Sequence, residues 1–346
     1  MSGGVDSSVA AYLMKEAGYM CIGATLKLHE EEENGSKTCC SLRDVEDAKD
    51  VALSIEIPHY VFNFKKYFEE AVIRRFVDTY IAGGTPNPCI ACNRYIKFEK
   101  LINRMYELDC DYVVTGHYAR ISYDEKKGRY LLKKGLDENK DQSYVLYNLT
   151  QEQLKHTMFP LGEYRKEEIR EIAEKQGFVN AHKNESQDIC FVPDGDYAGF
   201  IERYTGKKFP EGSFVLTDGT VMGVHRGMIR YTIGQRKGLG LSLPAPLYVC
   251  GKDIEKNEVI LGTNEMLFTT TLRAGDMNWI AISALTKPLH CMAKIRYRQR
   301  EAGAVVKPLS DGQVEVVFDE PQRGITSGQA VVLYDEDVVI GGGTIL

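Results

Sequence analysis

A glycine-rich turn that leads directly into a helix is the feature that most constrains the fold of this chain. Residues 2–8 read SGGVDSS, and apolar residues continue at helical spacing from Val5 to Lys15. Paired glycines let backbone N–H groups turn towards an anion, and the N-terminus of the following helix favours negative charge. The lysine of the GxxxxGK[ST] loop is missing, which excludes that type of nucleotide loop. The turn predicts a phosphate site at a strand–helix junction of an α/β domain.

Alternating strand and helix patterns continue to about residue 195. Strands are predicted over 19–28, 60–64 and 111–115, helices over 42–53, 65–82 and 98–108, and a loop over 83–88. This alternation is typical of a parallel sheet with helices on both faces, which binds ligands at the carboxyl ends of its strands. Because a phosphate turn normally follows a central strand, we expect that the first strand is missing. Either translation begins upstream of Met1, or the given chain starts at an internal methionine.

After residue 195 the pattern changes to short β-rich runs separated by glycine and asparagine turns. The final segment predicts strands over 292–297, 314–318, 330–334 and 338–340, which is typical of a small barrel or sandwich. We therefore predict three domains: an α/β domain over 1–195, a central β-rich domain over 196–263, and a C-terminal β-barrel over 264–346.

Composition narrows the class of protein. The 346 residues are 43% hydrophobic and 27% charged, which is ordinary for a globular protein, and no apolar run approaches the roughly 18 residues of a membrane span. The net charge of −6 argues against binding nucleic acid by bulk charge but leaves room for a local basic patch. Nine cysteines in a chain of this size predict cytoplasmic thiols with metal or catalytic chemistry.

The second chemical motif is a pair of thiols with a distant third. Cys89 and Cys92 form a CxxC in TPNPCIACN, and Cys190 lies in ESQDICF. Such thiols can exchange disulfides, carry a persulfide, or hold a metal. An iron–sulfur cluster with one open iron is one alternative, and structural zinc is another. Zinc normally needs a fourth ligand, for which Cys39 and Cys40 are the candidates of the same residue type.

Two basic runs lie in the second half of the chain. Lys294, Arg296, Arg298 and Arg300 would share one face of a strand, with Tyr297 placed to stack on a base. The second run consists of Arg226, Arg230, Arg236 and Lys237. Because charges more than ~8 Å away are screened, these runs favour local contacts to phosphates in spite of the negative net charge.

Seven segments then identify a family. SGGVDSS, TPNPCIACN, TGHYAR (115–120), KDQSY (140–144), SQDICF (186–191), YTIGQRKGLG (231–240) and GQAVVLY (328–334) follow one another in one order. With these seven segments in this order, the sequence resembles the tRNA-specific 2-thiouridylases (MnmA) of the N-type ATP pyrophosphatase superfamily over essentially its whole length. The resemblance implies an ATP-dependent enzyme that replaces the C2 oxygen of the wobble uridine of tRNA by sulfur. It also implies that 1–195 is the catalytic ATP-pyrophosphatase domain and that the central domain, 196–263, contacts tRNA.

The resemblance also implies roles for individual residues. ATP, with Mg²⁺, would be bound by Ser2, Gly3, Gly4, Val5, Asp6, Ser7, Ser8, Leu26 and Gly116. Cys92 matches the family's nucleophilic cysteine and Cys190 the cysteine that carries a persulfide. The target base would lie against Asn87, Pro88 and Cys89, and tRNA would contact His117, Lys140, Asp141, Gln142, Arg296, Tyr297 and Gln329.

The sequence departs from the family pattern at Cys89, where many members have a catalytic aspartate. Cys89, Cys92 and Cys190 together resemble the three cysteines of cluster-dependent tRNA thiolases, so an iron–sulfur cluster on them is a second hypothesis beside the persulfide. A sulfur donor protein, either a cysteine desulfurase or a relay protein, is implied under the persulfide route. The alternatives are another ATP-pyrophosphatase-type enzyme, such as an amide-forming synthetase or a different tRNA thiolase, and a non-catalytic RNA-binding protein with zinc.

Overall fold

The computed structural model describes residues 1–29, 42–183, 189–242 and 245–346. Along the chain it forms an α/β region, a small β-sheet region and a closed β-barrel, so the predicted fold class is confirmed. Among the described helices, none combines the length and the apolar character needed to cross a membrane.

The α/β region contains short parallel strands flanked by helices. Its helices are α1 (Val5–Glu16), α2 (Leu42–Ser54), α3 (Lys65–Phe68), α4 (Arg74–Ile81), α5 (Pro88–Ala91), α6 (Leu101–Glu107), α7 (Ser143–Leu146), α8 (Gln151–Lys155) and α9 (Lys166–Lys175). Its strands are β1 (Gly23–Lys27), β2 (His59–Asn63), β3 (Val113–Val114), β4 (Ala119–Asp124), β5 (Arg129–Lys134) and β6 (Thr157–Met158). Segments Glu69–Ile73 and Cys92–Lys100 are π-helical, and Pro160–Glu163 is a 3₁₀ turn.

The parallel strands of this region form two pairs. Strand β1 pairs with β2, and β3 pairs with β6, both in parallel. Residues of β1 and β3 line the same cavity. The strand expected over 19–28 begins only at Gly23, because the preceding residues, including Tyr19 and Met20, are exposed. The terminal ammonium group of Met1 donates a hydrogen bond to the carbonyl oxygen of Ala24, a residue of β1. The expected upstream strand stays a prediction.

A continuous helical stretch from Pro88 to Glu107, here called the thiol helix, follows the loop after α4. The sequence pattern predicts this helix only from residue 98. It begins ten residues earlier because Asn87 caps it: its side-chain oxygen accepts a hydrogen bond from Cys89 N at 3.1 Å. Proline is compatible with the first helical position. This early start places both Cys89 and Cys92 on the first turns of the helix.

The central region is a four-stranded sheet preceded by a helix. Its sheet has the order β8-β7-β10-β9, and Phe214, Tyr231, Val249, Val259 and Leu261 form its core. Its elements are α10 (Tyr197–Thr205), β7 (Gly212–Leu216), β8 (Val221–His225), a 3₁₀ turn (Met228–Arg230), β9 (Tyr248–Asp253) and β10 (Glu258–Gly262).

The C-terminal region is a barrel of six strands. They follow the order β11-β14-β13-β12-β15-β16, and β16 pairs with β11 to close the barrel. The barrel alternative is therefore correct and the sandwich alternative is wrong. Its elements are a 3₁₀ turn (Asn264–Leu267), β11 (Phe268–Trp279), β12 (Leu289–Lys294), β13 (Ala302–Pro308), a 3₁₀ turn (Ser310–Gly312), β14 (Val314–Arg323), β15 (Ala330–Asp335) and β16 (Val338–Ile345).

The α/β region and the barrel share one hydrophobic core. Phe98, Leu132 and Tyr144 of the former pack in one cluster with Val332 and Tyr334 of the latter. The hairpin β4–β5 joins the barrel directly, since Lys133 on β5 pairs with Val338 on β16. Gly342 on β16 allows the barrel to approach the α/β region closely, because a β-carbon there would lie 2.7 Å from the ring of Tyr147. The barrel therefore packs directly against the α/β region.

Candidate active site

The turn at Gly3 and Gly4 shapes the start of α1 into an anion site. Gly3 has φ of +68°, and a β-carbon there would overlap the carbonyl oxygen of Asp44. Gly4 is the extended residue that precedes α1, and its carbonyl accepts hydrogen bonds from Ser7 Oγ at 3.0 Å and Ser8 Oγ at 3.1 Å. The first N–H groups of a helix have no partner within the helix. They are thus available here for a phosphate.

Two side chains that the sequence analysis missed hold this turn. Asn180, only 2% exposed, donates from Nδ2 to Gly3 O at 3.0 Å and to Ser8 Oγ at 2.9 Å. Lys183 donates from Nζ to the same Gly3 oxygen at 3.1 Å and also pairs with Asp44 and Asp47. Burial lowers the pKa of Lys183, but the two aspartates outweigh it and raise the pKa above its ordinary value. The one signal in the sequence that could have identified Asn180 and Lys183 is that they lie shortly before the SQDICF motif.

The carboxylate of Asp6 lies in the first turn of α1, where it would repel a triphosphate. Lys166 Nζ lies 2.6 Å from Asp6 Oδ1, and the hydroxyl of Tyr118 donates to the same oxygen at 2.8 Å. Lys166 is buried, so its charge offsets that of Asp6 in a poorly screened setting. Gly116 packs against the same turn, since a β-carbon there would lie 2.7 Å from the Asp6 carbonyl carbon. The segment after β3 therefore forms a wall of this candidate phosphate site.

Cys89 and Cys92 lie on the first turns of the thiol helix but in different environments. Cys89 is exposed, whereas Cys92 is half-buried. Burial raises the pKa of Cys92 to about 11, an effect that Lys97 opposes and Cys89 reinforces. At neutral pH Cys92 is therefore a neutral thiol in this conformation.

Cys190 follows a stretch that lies outside the described residues, 184–188, which includes part of the SQDICF motif. Cys190 is half-buried, and it packs with Cys92 against one apolar cluster that contains Phe68 and Phe191. Cys39 and Cys40, the further ligands considered for zinc, also lie outside the described residues.

The thiols as placed do not fit a metal site. Among the described residues, no three His, Cys, Asp or Glu side chains lie close enough together to hold a metal ion, and this includes the set Cys89, Cys92 and Cys190. An iron–sulfur cluster or a zinc ion needs thiolates that converge on one point. Cys92 is moreover protonated in this environment.

One cavity of about 3030 Å³ connects the phosphate turn with the thiols. Its lining includes Leu26 and Gly116, the two further residues expected to contact the nucleotide. Among the other predicted site residues, the lining includes Ser2, Gly4, Val5, Asp6, Ser7, Asn87, Pro88, Cys89, Cys92, His117, Lys140, Asp141, Gln142, Cys190 and Tyr297. Gly3, Ser8, Arg296 and Gln329 do not line it. A nucleotide at the turn and a base at the thiols would therefore occupy one continuous space.

Several residues that are expected to contact tRNA form hydrogen bonds within the protein. Asp141 is buried and accepts hydrogen bonds from Gly135 N at 3.1 Å and Ser143 N at 3.0 Å. Gln142 accepts from Tyr118 N at 3.0 Å. Burial, with the charge of Lys97, holds the pKa of His117 well below its ordinary value, so that its imidazole is neutral. Contacts of these residues with tRNA stay predictions.

The basic run of the barrel differs from the predicted geometry. The strand was expected to continue to Tyr297, but β12 ends at Lys294, and residues 295–300 form bends and a turn. The prediction that Lys294, Arg296, Arg298 and Arg300 share one strand face is therefore wrong. Lys294, Arg298 and Arg300 line the cavity, whereas the side chain of Arg296 turns to Gly324 O at 2.7 Å.

Gln329 joins the barrel to the loop that leads into the thiol helix. Its Nε2 donates to Thr85 O at 2.7 Å, and Thr85 N donates to Ser327 O at 2.9 Å. In the other basic run, Arg230 pairs with Glu202 at 2.9 Å, so its charge is taken up by α10. Gln329 thus connects the barrel with the α/β region, whereas Arg230 connects two elements of the central region.

The comparisons with known proteins agree with this arrangement. The family described as tRNA methyl transferase HUP domain matches residues 1–194, the tRNA methyl transferase PRC-barrel domain matches 198–263, and the aminomethyltransferase beta-barrel domain matches 269–345. The tRNA-specific 2-thiouridylases MnmA of Acetivibrio thermocellus and Clostridioides difficile are 52% and 51% identical over all of this chain and 97% and 96% of their own lengths. MnmA 1 of Thermoanaerobacter sp. strain X514 is 53% identical over all of this chain and 96% of its own length. The predicted family is thereby confirmed: this chain belongs to the tRNA-specific 2-thiouridylase family.

Proposed function

We propose that this chain catalyses the ATP-dependent 2-thiolation of the wobble uridine of tRNA. The observation that carries the proposal is the continuous cavity, which a phosphate turn lines together with Cys89, Cys92 and Cys190. The family, with relatives at about half identity over the whole chain, supports the same activity. No membrane partner is involved, and the enzyme acts in the cytoplasm, where its substrates are found.

The first step is adenylation of the base. The triphosphate binds to the N–H groups at the start of α1, with Asn180 and Lys183 holding the turn in place. The C2 oxygen of uridine attacks the α-phosphorus, the bond to the β-phosphate breaks, and pyrophosphate leaves. This step converts a poor leaving oxygen into a good one. Mg²⁺ enters with ATP as part of the substrate complex.

The second step is sulfur transfer. A donor protein, such as a cysteine desulfurase or a relay protein, loads the terminal sulfur onto Cys190 as a persulfide. That sulfur attacks C2 and AMP leaves with the oxygen. The Cys92 thiolate then attacks Cys190 Sγ, which releases the sulfur to the base and leaves a Cys92–Cys190 disulfide. A reductant restores the two thiols after each turnover. Burial raises the pKa of Cys92 to about 11, and the positive charge of Lys97 opposes this rise and so favours the thiolate that attacks.

Nucleoside analysis of tRNA tests the proposal. Unmodified tRNA is incubated with the protein, ATP, Mg²⁺ and a persulfide donor, then digested and examined by mass spectrometry. We expect 2-thiouridine with the wild type and with Cys250→Ala, a control thiol on β9 of the central region, and none with Cys92→Ala or Cys190→Ala. Absence of 2-thiouridine with the wild type, while tRNA binding is intact, would contradict the proposal.

The role of Cys89 separates the two sulfur routes. Under the persulfide route the aerobic, colourless protein is active, and Cys89→Ala keeps measurable turnover. Anaerobic treatment with iron and sulfide tests the alternative, in which an iron–sulfur cluster supplies the sulfur. Activity that appears only in a brown protein, and is lost in Cys89→Ala, would replace the persulfide route by a cluster.

A further inference from the structure

The thiol helix carries a buried amide directly after Cys92. Asn93 is only 2% exposed and lies in the π-helical segment Cys92–Lys100. Its Nδ2 donates a hydrogen bond to the carbonyl oxygen of Val145, in α7, at 2.9 Å. Because an amide nitrogen can only donate and a carbonyl oxygen can only accept, this bond determines which end of the amide is the nitrogen. The remaining atom, Asn93 Oδ1, is therefore a hydrogen-bond acceptor.

This acceptor has no donor within the described part of the chain. Asn93 Oδ1 is buried and forms no hydrogen bond there. A buried carbonyl oxygen without a donor is uncommon in folded proteins, because it has lost its hydrogen bonds to water and gained none in return. Asn93 also lines the large cavity, together with Cys92 and His117. A molecule bound in that cavity is thus in a position to supply the missing donor.

Asn148 shows that an unpaired amide oxygen alone does not define a ligand site. It is 5% exposed, its Nδ2 donates to Ile90 O at 3.5 Å, and its Oδ1 is buried without a hydrogen-bond partner among the described residues. Asn148 does not line the cavity. The combination of an unpaired acceptor, a place in the cavity wall and a position next to a thiol is what distinguishes Asn93.

The chemistry of the substrates indicates which donor this is. The triphosphate offers only acceptors, and the rest of the nucleotide is expected to lie against Leu26 and Gly116. The group expected near Cys92 is the target base. Uracil has one ring donor, N3–H, on the atom bonded to C2, where sulfur is to be attached. An acceptor beside Cys92 therefore meets N3–H when C2 faces the thiols.

We propose that Asn93 Oδ1 accepts a hydrogen bond from N3–H of the target uridine and so selects uridine over cytidine. Cytidine carries a lone pair on N3 in place of the proton, and that lone pair would face the Asn93 oxygen. A site built to pair with a donor rejects an analogue that lacks it, because its own buried group is then left unpaired. This inference rests on the proposed function for the identity of the base. Asn93 is thus a specificity-determining residue that also orients C2.

Binding of RNAs that differ only at the target base tests this assignment. Anticodon stem-loops with uridine, cytidine or 3-methyluridine at the wobble position are titrated without ATP, and Kd is measured by fluorescence anisotropy. We expect the wild type to bind the uridine RNA about tenfold more tightly than either of the other two. In Asn93→Leu, which has a similar volume but no acceptor, the three Kd values should agree within about twofold.

Asn148→Leu is the matched control. It removes an amide of the same kind from the same neighbourhood, but outside the cavity wall, and it should keep the tenfold preference for uridine. Melting curves check that both variants are folded. If Asn93→Leu does not fold, Asn93→Ser replaces it, because the serine side chain is smaller and its hydroxyl lies closer to the helix. Equal loss of the preference in the Asn93 and Asn148 variants would overturn the assignment.

The outcomes separate this inference from the proposed function. If the wild type binds the three RNAs equally, or Asn93→Leu keeps the wild-type preference, the inference is overturned even when the wild type produces 2-thiouridine. If the preference for uridine depends on Asn93 but the wild type produces no 2-thiouridine, the uracil contact stands and the proposed activity fails.

Discussion

Lys183 Nζ donates a hydrogen bond to the carbonyl oxygen of Gly3 at 3.1 Å. This contact joins two parts of the candidate site that lie far apart in sequence: the proposed phosphate turn, and Lys183, which precedes Cys190 in the chain. Under the proposed function, a change in the turn when ATP binds would therefore act on Lys183. Asn180 reinforces the connection through the same Gly3 oxygen.

Gly3→Ala should damage nucleotide binding. The substitution places a β-carbon against Asp44 O at a residue with φ of +68°, so the turn must shift. We expect the KM for ATP to rise at least about tenfold and stability to fall by about 1–3 kcal/mol. Gly18→Ala is the matched control, because Gly18 also has positive φ but has no atom within 4 Å of the added carbon. It should lose about 1 kcal/mol of stability and keep the KM, and an equal rise in KM for both variants would contradict the prediction.

Cys92 should react slowly with iodoacetamide in the free protein. Its pKa of about 11 leaves almost no thiolate at pH 7, so the rate should rise about tenfold per pH unit towards pH 11. Exposed Cys89 serves as the internal control, and peptide mass spectrometry gives the rate at each site. Lys97→Gln removes a charge that lowers the pKa of Cys92 and should slow its reaction further. Equal modification of both cysteines at pH 7 would show that Cys92 is not protonated as described.

Gln329→Leu should slow thiolation without weakening ATP binding. The change removes the hydrogen bond to Thr85 O, and with it a tie between the barrel and the loop before the thiol helix. We expect a loss of about 1 kcal/mol of stability and a severalfold lower kcat, with the KM for ATP unchanged. Gln176→Leu removes a comparable bond, to Tyr12 on α1, and should leave kcat unchanged. Identical kinetics of the two variants would rule out a positioning role for Gln329.

Lys252→Met should stabilise the protein. Lys252 Nζ is buried without a hydrogen-bond partner in the described part of the chain, and burial lowers its pKa from 10.5 to about 8. The unfolded chain therefore holds this proton more tightly, so that the stability of the wild type increases from pH 8 to pH 10.5. Urea unfolding should show a gain of about 1–3 kcal/mol for Lys252→Met at pH 7 and a smaller gain at pH 10. A loss at pH 7 would indicate that the ammonium group has a favourable partner.

Local motifs made the family, the fold class and the phosphate turn predictable, because a turn such as Gly3-Gly4 is determined by its own residues. Long-range contacts were not predictable in this way. Asn180 and Lys183 reach Gly3 across slightly more than half of the chain, and no spacing rule connects such residues. The face assigned to Arg296 was wrong for a related reason. Alternation continues past Lys294 in the sequence, but the register of the barrel ends the strand there.

The core shared by the α/β region and the barrel has a consequence for how the enzyme could be divided. Three family descriptions cover the chain one after another, which invites a cut near residue 195. Such a cut would strip Tyr144 and Leu132 of their apolar neighbours Val332 and Tyr334, and it would leave the β4–β5 hairpin without β16. The N-terminal fragment would then expose a contiguous apolar surface and aggregate. The α/β region and the barrel therefore depend on each other for folding, although they lie at opposite ends of the sequence.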